Sequence, residues 1–280
     1  MGGRGSCYLN FNNPNDSSGA DFNFDIGNPN DEEDTQKEYN GKTEKLLNKN
    51  IHIKVSTDKI PEDIFIPNIK KVDSLSRKYK TTANILQNTN QDLNIRAHKM
   101  PTQVQACFSS NAMEFNNLQI VLNKDLTIAN KKAVENTVQE QIDSGFWTKS
   151  DKKELINHTP THEYGHYIQK ILMEQDSKTE EGKKIKEDYL QKYAKSKNKR
   201  LIAQSYSEEC ATKYFKQIQK INRREFGKES PNDISRYGTT NNRECFAELF
   251  ANANTTSKPN NLSKSLEIFL KERKINNDAT

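Results

Sequence analysis

The sequence contains no long apolar run and no closely spaced pair of cysteines. A membrane-spanning helix needs about 20 consecutive apolar residues, and no stretch approaches that length. The start, MGGRGSCYLN, also lacks the apolar run of a secretory signal. The four cysteines, Cys7, Cys107, Cys210 and Cys245, form no CxxC motif, which argues against a disulfide framework or a cysteine-rich zinc site. We therefore expect reduced thiols, no Sec-dependent export and no membrane partner.

Apolar residues make up 32% of the 280 residues and charged residues 29%, so the material for a core is modest. The net charge of +5 divides unevenly: residues 1–50 carry nine acidic and five basic side chains, a net −4, which leaves +9 for residues 51–280. Residues 1–50 are rich in Gly, Asn and Asp without a hydrophobic period, which predicts a disordered arm. The basic stretch 183–224 is interleaved with Glu and Asp, which favours exposed helix faces over a nucleic-acid partner.

The pattern changes at Ile51, and residues 51–280 are predicted to form one α+β domain. A small α/β part, 51–125, is expected to precede a helical part, 126–280, which carries the candidate site. Apolar alternation and short apolar runs predict strands at 51–55, 103–110 and 117–123. Helical spacing predicts helices at 68–81, at 129–147, over most of 148–226 and over 244–274, with a loop at 227–242.

Residues 162–166, HEYGH, carry the clearest chemical signal. Two histidines at positions i and i+4 lie on one side of a helix, where both imidazoles can reach one tetrahedral Zn²⁺. The glutamate between them, Glu163, then faces a water on that metal and can serve as its general base. His162 and His166 are thus candidate metal ligands, against the alternative of an ordinary solvated helix face.

The flanking residues favour an amphipathic helix for this motif. Thr159 suits the N-cap and Pro160 suits the first turn. Apolar residues follow at a spacing of three and four, at Tyr167, Ile168, Ile171 and Leu172. His158 lies four residues before His162, but Pro160 disfavours an unbroken helix between them, which predicts a neighbour of the site rather than a ligand.

A catalytic zinc site needs a third protein ligand and leaves the fourth position to water. The segment 237–251, YGTTNNRECFAELFA, offers Glu244 and Glu248 at i and i+4 on one helix face, with apolar residues on the other. Glu244 is our choice of third ligand, and Glu248 is the exchangeable alternative. Glu208-Glu209 is a remote third candidate. Without HEYGH nearby, Glu244 and Glu248 would both be interpreted as surface carboxylates.

Taken together, the two segments resemble gluzincin-type metallopeptidases like the catalytic domain of anthrax lethal factor, along with related HExxH proteins of phages and Gram-positive mobile elements. That family combines an HExGH helix with a later Tyr-Gly segment and a helix of the form Glu-(aromatic)-Phe-Ala-Glu-x-Phe. Here HEYGH, Tyr237-Gly238 and 244–250, ECFAELF, match, and Tyr237 precedes Glu244 by the same seven residues. Cys245 replaces the aromatic residue, and the resemblance covers about residues 100–270.

The resemblance implies a zincin-like fold, mostly helical with a small sheet, and peptide-bond hydrolysis in a protein or peptide substrate. The implied zinc ligands are His162, His166 and Glu244. Glu163 would be the catalytic base, Tyr237 would donate to the oxyanion, and Glu248 would accept a hydrogen bond from a ligand histidine. The strand 118–122, LQIVL, is the expected sheet edge that pairs with an extended substrate.

Our leading hypothesis is a zinc-dependent endopeptidase encoded by a phage, a mobile element or a Gram-positive bacterium. One alternative is a non-catalytic phage head-associated or interaction protein with a structural metal site, and another is a secreted toxin protease that acts on a host protein. Glu163 and Tyr237 beside three ligands favour catalysis, because a structural zinc site normally closes its fourth position with a protein ligand. The expected location is cytoplasmic or virion-associated, with export by another route left open.

Overall fold

The computed structural model describes residues 53–56, 61–98, 100, 104–110, 113–123, 130–227 and 233–275. The predicted disordered arm, residues 1–50, lies outside the described residues. So does the first part of the predicted strand 51–55.

The described chain is mostly helical with one small sheet, which confirms the α+β class. The strands are β1 (Ile53–Ser56), β2 (Leu93–His98), β3 (Ala106–Ser109) and β4 (Leu118–Asn123). The helices are α1 (Glu62–Lys78), α2 (Thr81–Thr89), α3 (Lys131–Asp143), α4 (His158–Asp176), α5 (Glu180–Lys195), α6 (Lys199–Phe226), α7 (Asn242–Thr255) and α8 (Asn261–Glu272), and a 3₁₀ helix at Lys152–Asn157 precedes α4.

The four strands form a mixed sheet in the order β1-β2-β4-β3. β1, β2 and β4 are parallel, and β3 runs antiparallel to β4, with Phe108 opposite Ile120. The expectation that residues 118–122 form the sheet edge is therefore wrong, because β4 lies between β2 and β3. The apolar side chains of β4 are buried on both faces, which suits an interior strand. The shorter β3, whose second half is only partly buried, is the edge strand next to β4.

The first long helix begins earlier than its hydrophobic period predicts. The predicted range was 68–81, whereas α1 starts at Glu62, directly after Pro61. Glu62 and Asp63 occupy its first turn, where carboxylates interact favourably with the exposed N–H groups. Pro67 lies inside α1, and the helix continues through it. The polar first turn explains the missed start, since it carries little of the apolar period.

Helices α4 and α7 cross in close contact at Gly165. A Cβ atom added there would lie 2.9 Å from Ala247 Cα and 3.1 Å from Phe250 Cβ. Contacts this short leave no room for any side chain at position 165. The apolar residues around the crossing, which include Tyr164 and Phe246, belong to the main core. The crossing therefore holds the two motif-bearing helices at a fixed distance.

The cysteines differ from the expectation of reduced thiols at one position. Cys210 and Cys245 are buried free thiols, as expected. Cys107 is disulfide-bonded. No described helix combines the length and apolar character of a bilayer-spanning segment.

Candidate metal centre

Helix α4 carries HEYGH and begins at His158, immediately after the 3₁₀ helix. Thr159 is therefore inside the helix rather than at its N-cap, which is Asn157. The expectation that Pro160 interrupts the helix between His158 and His162 is also wrong. A proline in the first turn costs no hydrogen bond, because N–H groups there have no intrahelical acceptor.

Helix α7 presents its two glutamates to α4. The Asn241 side chain accepts a hydrogen bond from Glu244 N at 3.0 Å and so caps the helix at its first turn. Glu244 and Glu248, one turn apart, are both about 1% exposed. The close crossing at Gly165 brings this face of α7 against the histidine face of α4. Two segments 82 residues apart in the chain thereby meet in the interior.

The histidine pair and Glu244 converge on one point. Glu244 Oε2 lies 3.1 Å from His162 Nε2 and 3.2 Å from His166 Nε2. Ligands bound at 2.0–2.1 Å to a tetrahedral zinc are themselves about 3.3 Å apart, so these separations match the edges of such a coordination shell. His162, His166 and Glu244 form a group that could hold a metal ion, and it is the one such group among the described residues.

Glu248 orients the first histidine from behind. Its Oε1 lies 2.9 Å from His162 Nδ1, so the Nδ1 proton faces a carboxylate and Nε2 is directed toward Glu244. Glu248 Oε2 accepts hydrogen bonds from Thr148 N at 2.7 Å and from Ser235 Oγ at 2.8 Å. A carboxylate behind a ligand histidine fixes the ring and raises its basicity.

Gln169 does the same for the second histidine. Its Nε2 donates to Arg243 O at 3.0 Å, which leaves its Oε1, 3.2 Å from His166 Nδ1, as the acceptor of the Nδ1 proton. His166 therefore also directs Nε2 toward Glu244. Both rings are held in the tautomer that a metal ligand needs.

The electrostatics of the cluster favour positive charge between the helices. Burial lowers the pKa of His162, but the facing carboxylates of Glu244 and Glu248 outweigh burial and hold this pKa well above its usual range. Burial raises the pKa of Glu244, and the imidazoles of His166 and His162 outweigh it and hold this pKa well below the usual range. Two carboxylates that face the two nitrogens of one imidazole make the local potential negative, and this potential favours a divalent cation.

Glu163 lies beside the cluster with one oxygen held and the other open. Its Oε2 accepts a hydrogen bond from Phe108 N on the edge strand β3 at 2.7 Å. Its Oε1 is buried and has no hydrogen-bond partner among the described residues. Burial raises the pKa of Glu163. A carboxylate with one anchored and one open oxygen can accept a proton without losing its position.

Tyr237 and Glu163 line the same small cavity next to the histidines. The ring of Tyr237 lies 5.7 Å from the ring of His162 and 5.3 Å from that of Phe146, measured between centroids. Its backbone N–H donates to Phe146 O at 2.9 Å, which anchors the loop before α7 to the segment that follows α3. The structure thus brings Tyr237 to the same cavity as Glu163.

His158 lines this cavity but does not belong to the metal-binding group, in agreement with the expectation of a neighbour. Its ring stacks on Trp147 at 5.1 Å, and its Nδ1 lies 2.7 Å from Ser150 Oγ. Thr255 Oγ1 donates to Ala251 O, so Ser150 Oγ, 2.6 Å away, donates to Thr255 and accepts from His158 Nδ1. Burial lowers the pKa of His158 to about 4, so the ring is neutral near pH 7.

The remote candidates Glu208 and Glu209 have other contacts. Glu208 Oε1 accepts a hydrogen bond from Asn242 N at 3.0 Å at the start of α7. Glu209 Oε2 accepts one from Tyr189 OH at 2.8 Å. Neither belongs to the metal-binding group.

Four supporting residues were missed by the sequence reasoning. Their contacts to Glu248, His166 and Glu163 are described above, and the residues are Gln169, Thr148, Ser235 and Phe108. Only Gln169 had a local signal, because it follows His166 by three residues and side chains at i and i+3 are helical neighbours. The other three come from distant segments, and no sequence spacing links them to the motif.

Comparison with known proteins assigns no family, since no family model, curated protein or solved structure matches this chain. The site is therefore described from the side chains of this chain alone. Three of them could hold a metal ion, and Glu163 and Tyr237 line the adjoining cavity.

Proposed function

We propose that this protein is a zinc-dependent endopeptidase in which Glu163 activates the attacking water. The observation that carries the proposal is the convergence of His162 Nε2 and His166 Nε2 on a single oxygen of Glu244, at 3.1 and 3.2 Å, beside a carboxylate with an open oxygen. The resemblance to gluzincin-type metallopeptidases supports the same reaction.

The donor set supports zinc as the metal. Two imidazole nitrogens and one carboxylate oxygen are a ligand set of catalytic zinc, and they leave one position open. A structural site would close that position with a fourth protein donor, and among the described residues no fourth His, Cys, Asp or Glu joins the group. Zn²⁺ held here would supply a Lewis acid that polarises the scissile carbonyl and lowers the pKa of water.

Glu163 transfers the proton in this mechanism. Its open Oε1 takes a proton from the attacking water while Phe108 N holds Oε2 in place. The same carboxyl then gives the proton to the nitrogen of the leaving amine. Burial raises the pKa of Glu163, which moves the carboxyl toward the range where it can both accept and return a proton near neutral pH.

Tyr237 stabilises the oxygen that becomes negative during the attack. It lines the same cavity as Glu163, and its backbone N–H donates to Phe146 O, so its side chain is available beside the proposed base. A hydrogen-bond donor positioned in advance in a buried site stabilises such an oxyanion more strongly than water does.

The edge strand β3 provides a place for an extended substrate. Asn123 N donates to Gln105 O at 2.9 Å, so in this antiparallel pair position 105 faces β4 and positions 106 and 108 face away. The outward N–H of Phe108 already reaches Glu163. A peptide that pairs with this edge would lie alongside α4, next to the proposed base.

The test uses the zinc-loaded full chain and a peptide library analysed by mass spectrometry. We expect about one Zn²⁺ per chain in both the wild type and Glu163→Gln, and a loss of cleavage of at least about 100-fold in the variant. Glu209→Gln, which changes a glutamate that accepts a hydrogen bond from Tyr189 OH, is the control and should cleave like the wild type. Cleavage by Glu163→Gln at the wild-type rate would remove the proposed base. A wild type that binds zinc but cleaves nothing would favour the structural-site alternative.

A further inference from the structure

His158 carries a buried ring nitrogen to which no described residue donates a hydrogen bond. The residue is 1% exposed, and its Nε2 has no hydrogen-bond partner in the part of the chain that the structure describes. A buried polar atom without a partner is costly, so its presence in a folded protein needs a reason. His158 lines the same cavity as Glu163, whose Oε1 also lacks a partner among the described residues. Two such acceptors therefore border one cavity beside the metal-binding group.

The ring of His158 is fixed in place, and its Nε2 is an acceptor. Trp147 stacks on its face, with the ring centroids 5.1 Å apart and the planes 20° from parallel. At its edge, Nδ1 lies 2.7 Å from Ser150 Oγ, whose own proton goes to Thr255. Nδ1 therefore carries the hydrogen, and Nε2 presents a lone pair. Because burial lowers the pKa of His158 to about 4, the ring accepts a hydrogen bond near pH 7 without taking up the proton.

The other side chains around the cavity do not donate to His158 Nε2 during the proposed reaction. The hydroxyl of Thr159 donates to a side-chain amide oxygen at 2.9 Å, and both nitrogens of His162 face carboxylates. The indole N–H of Trp147 lies in the plane of a ring that stacks on His158, so it does not point at Nε2. The Tyr237 hydroxyl has one proton, which the proposed mechanism uses for the oxyanion. In the reaction, the donor to Nε2 therefore comes from the substrate.

The nitrogen of the scissile peptide bond has the hydrogens that these two acceptors can bind. It carries one hydrogen before the attack and gains a second when Glu163 Oε1 returns the proton. While the C–N bond breaks, this nitrogen has two N–H groups and a positive charge. One N–H faces Glu163, and the other can face His158 Nε2. Hydrogen bonds from a charged donor are stronger than those from a neutral one, so this contact becomes stronger in the transition state and raises kcat.

We propose that His158 is a catalytic residue whose Nε2 accepts a hydrogen bond from the nitrogen of the scissile peptide bond. The inference rests on the proposed peptidase function. No bond to His158 forms or breaks. The proton moves from water to Glu163 and then to the nitrogen, the C–N bond breaks with its electron pair on the nitrogen, and His158 stabilises the departing amine. The functional face of α4 thereby extends one turn back from His162.

The test compares cleavage of a peptide by the zinc-loaded full chain with cleavage of the ester of the same sequence, in which oxygen replaces the scissile N–H. The ester has no hydrogen to donate to His158 Nε2. His158→Phe should therefore lower kcat for the peptide about 10–100-fold and leave kcat for the ester within about threefold of the wild type. A general structural defect would slow both substrates equally. Zinc content and melting temperature, measured for each variant, check that the metal site and the fold are intact.

A second measurement does not depend on turnover. A phosphonamidate peptide, with P–NH at the scissile position, and the phosphonate with P–O in its place both resemble the tetrahedral intermediate. In calorimetric titrations, the zinc-loaded wild type should bind the phosphonamidate about 10–100-fold more tightly than the phosphonate. His158→Phe should bind the two with similar affinity, because the preference for N–H requires the Nε2 acceptor.

Thr161→Val is the matched control. It removes another hydrogen bond near the start of α4, from Thr161 Oγ1 to Asn157 O at 2.6 Å, and Thr161 is not among the described residues that line the cavity. This variant should keep the wild-type ratio of peptide to ester cleavage.

The outcomes separate this inference from the proposed function. If the wild type is active and His158→Phe keeps its ratio of peptide to ester cleavage, the inference alone is overturned. If His158→Phe has no effect in a Tyr237→Phe background, His158 acts through the tyrosine and not on the substrate nitrogen, which also overturns it. A wild type that cleaves neither substrate removes the proposed function together with this role of His158.

Discussion

Replacing Glu244 and Glu248 separately by glutamine distinguishes a metal ligand from the residue behind it. Both side chains are about 1% exposed, and glutamine has nearly the same shape, so packing is preserved. The two positions differ in what they face. Glu244 Oε2 meets two imidazole Nε2 atoms, whereas Glu248 meets the far side of His162 together with two other donors.

The expected losses follow from these contacts. In Glu248→Gln the amide NH₂ faces either the Nδ1 proton of His162 or the donors Thr148 N and Ser235 Oγ, so it meets a donor in both orientations and the orientation of His162 loosens. Loss of such an outer partner typically lowers metal affinity about 10–100-fold. Glu244→Gln removes the anionic donor itself and leaves two ligands. We expect its zinc affinity to fall by more than about 100-fold, which corresponds to more than about 2.7 kcal/mol.

The assay is competition of each protein with a chromophoric zinc chelator at neutral pH, with Glu209→Gln as the control. Glu209 contacts Tyr189 on the surface and should leave the affinity unchanged. Thermal unfolding of the metal-free proteins separates a loss of affinity from a loss of fold. If Glu248→Gln lost more affinity than Glu244→Gln, the two roles would be interchanged. If neither variant lost affinity, zinc would bind elsewhere.

Three further outcomes are expected. Gly165→Ala should lower both thermal stability and zinc affinity. A Cβ 2.9 Å from Ala247 Cα costs about 1–3 kcal/mol, whereas the higher helix propensity of alanine returns only about 1 kcal/mol. A melting temperature at or above that of the wild type, measured by calorimetry, would contradict the close contact. The stability of the metal-free protein, measured by urea unfolding, should decrease as the pH rises from neutral toward the raised pKa of His162, because the protonated ring contributes stability that is complete below its unfolded pKa. The stability that zinc adds should increase over the same pH range, because zinc binds deprotonated histidines. If stability changed with pH equally in the presence and absence of zinc, this prediction would be refuted. His158→Phe should keep about one zinc per chain, measured by atomic absorption, because His158 is outside the metal-binding group. Its free energy of unfolding should fall by about 1 kcal/mol with the loss of the Ser150 contact. Loss of the zinc would make His158 a ligand.

The metal-binding group was predictable because its signals are local. The spacing of His162 and His166 on one helix face needs only helix geometry, and the same holds for Glu244 and Glu248 on α7. That the two pairs would meet was an inference from chemistry, since a three-ligand site needs a donor from elsewhere. The structure places Glu244 within reach of both histidines and Glu248 behind His162.

The errors concern pairings between distant segments. Residues 118–122 and 106–109 are both apolar and short, and nothing in either one states which lies inside the sheet. The order is decided by which strand can be buried on both faces, and that depends on how α4 packs against the sheet.

Gly165 shows how a residue without chemistry of its own can belong to a metal centre. In the motif HEYGH it fills a position that HExxH leaves open and that the HExGH pattern of the resemblance contains, but the sequence interpretation assigned it no role. A glutamate side chain is short, so Glu244 can reach Nε2 of both histidines only if the axes of α4 and α7 lie near the lower end of the usual 8–10 Å separation. Only a residue without a side chain permits this contact with Ala247. The distance between the third ligand and the histidine pair is therefore controlled at a position that touches no metal, and for this reason the alanine substitution is expected to act on zinc affinity as well as on stability.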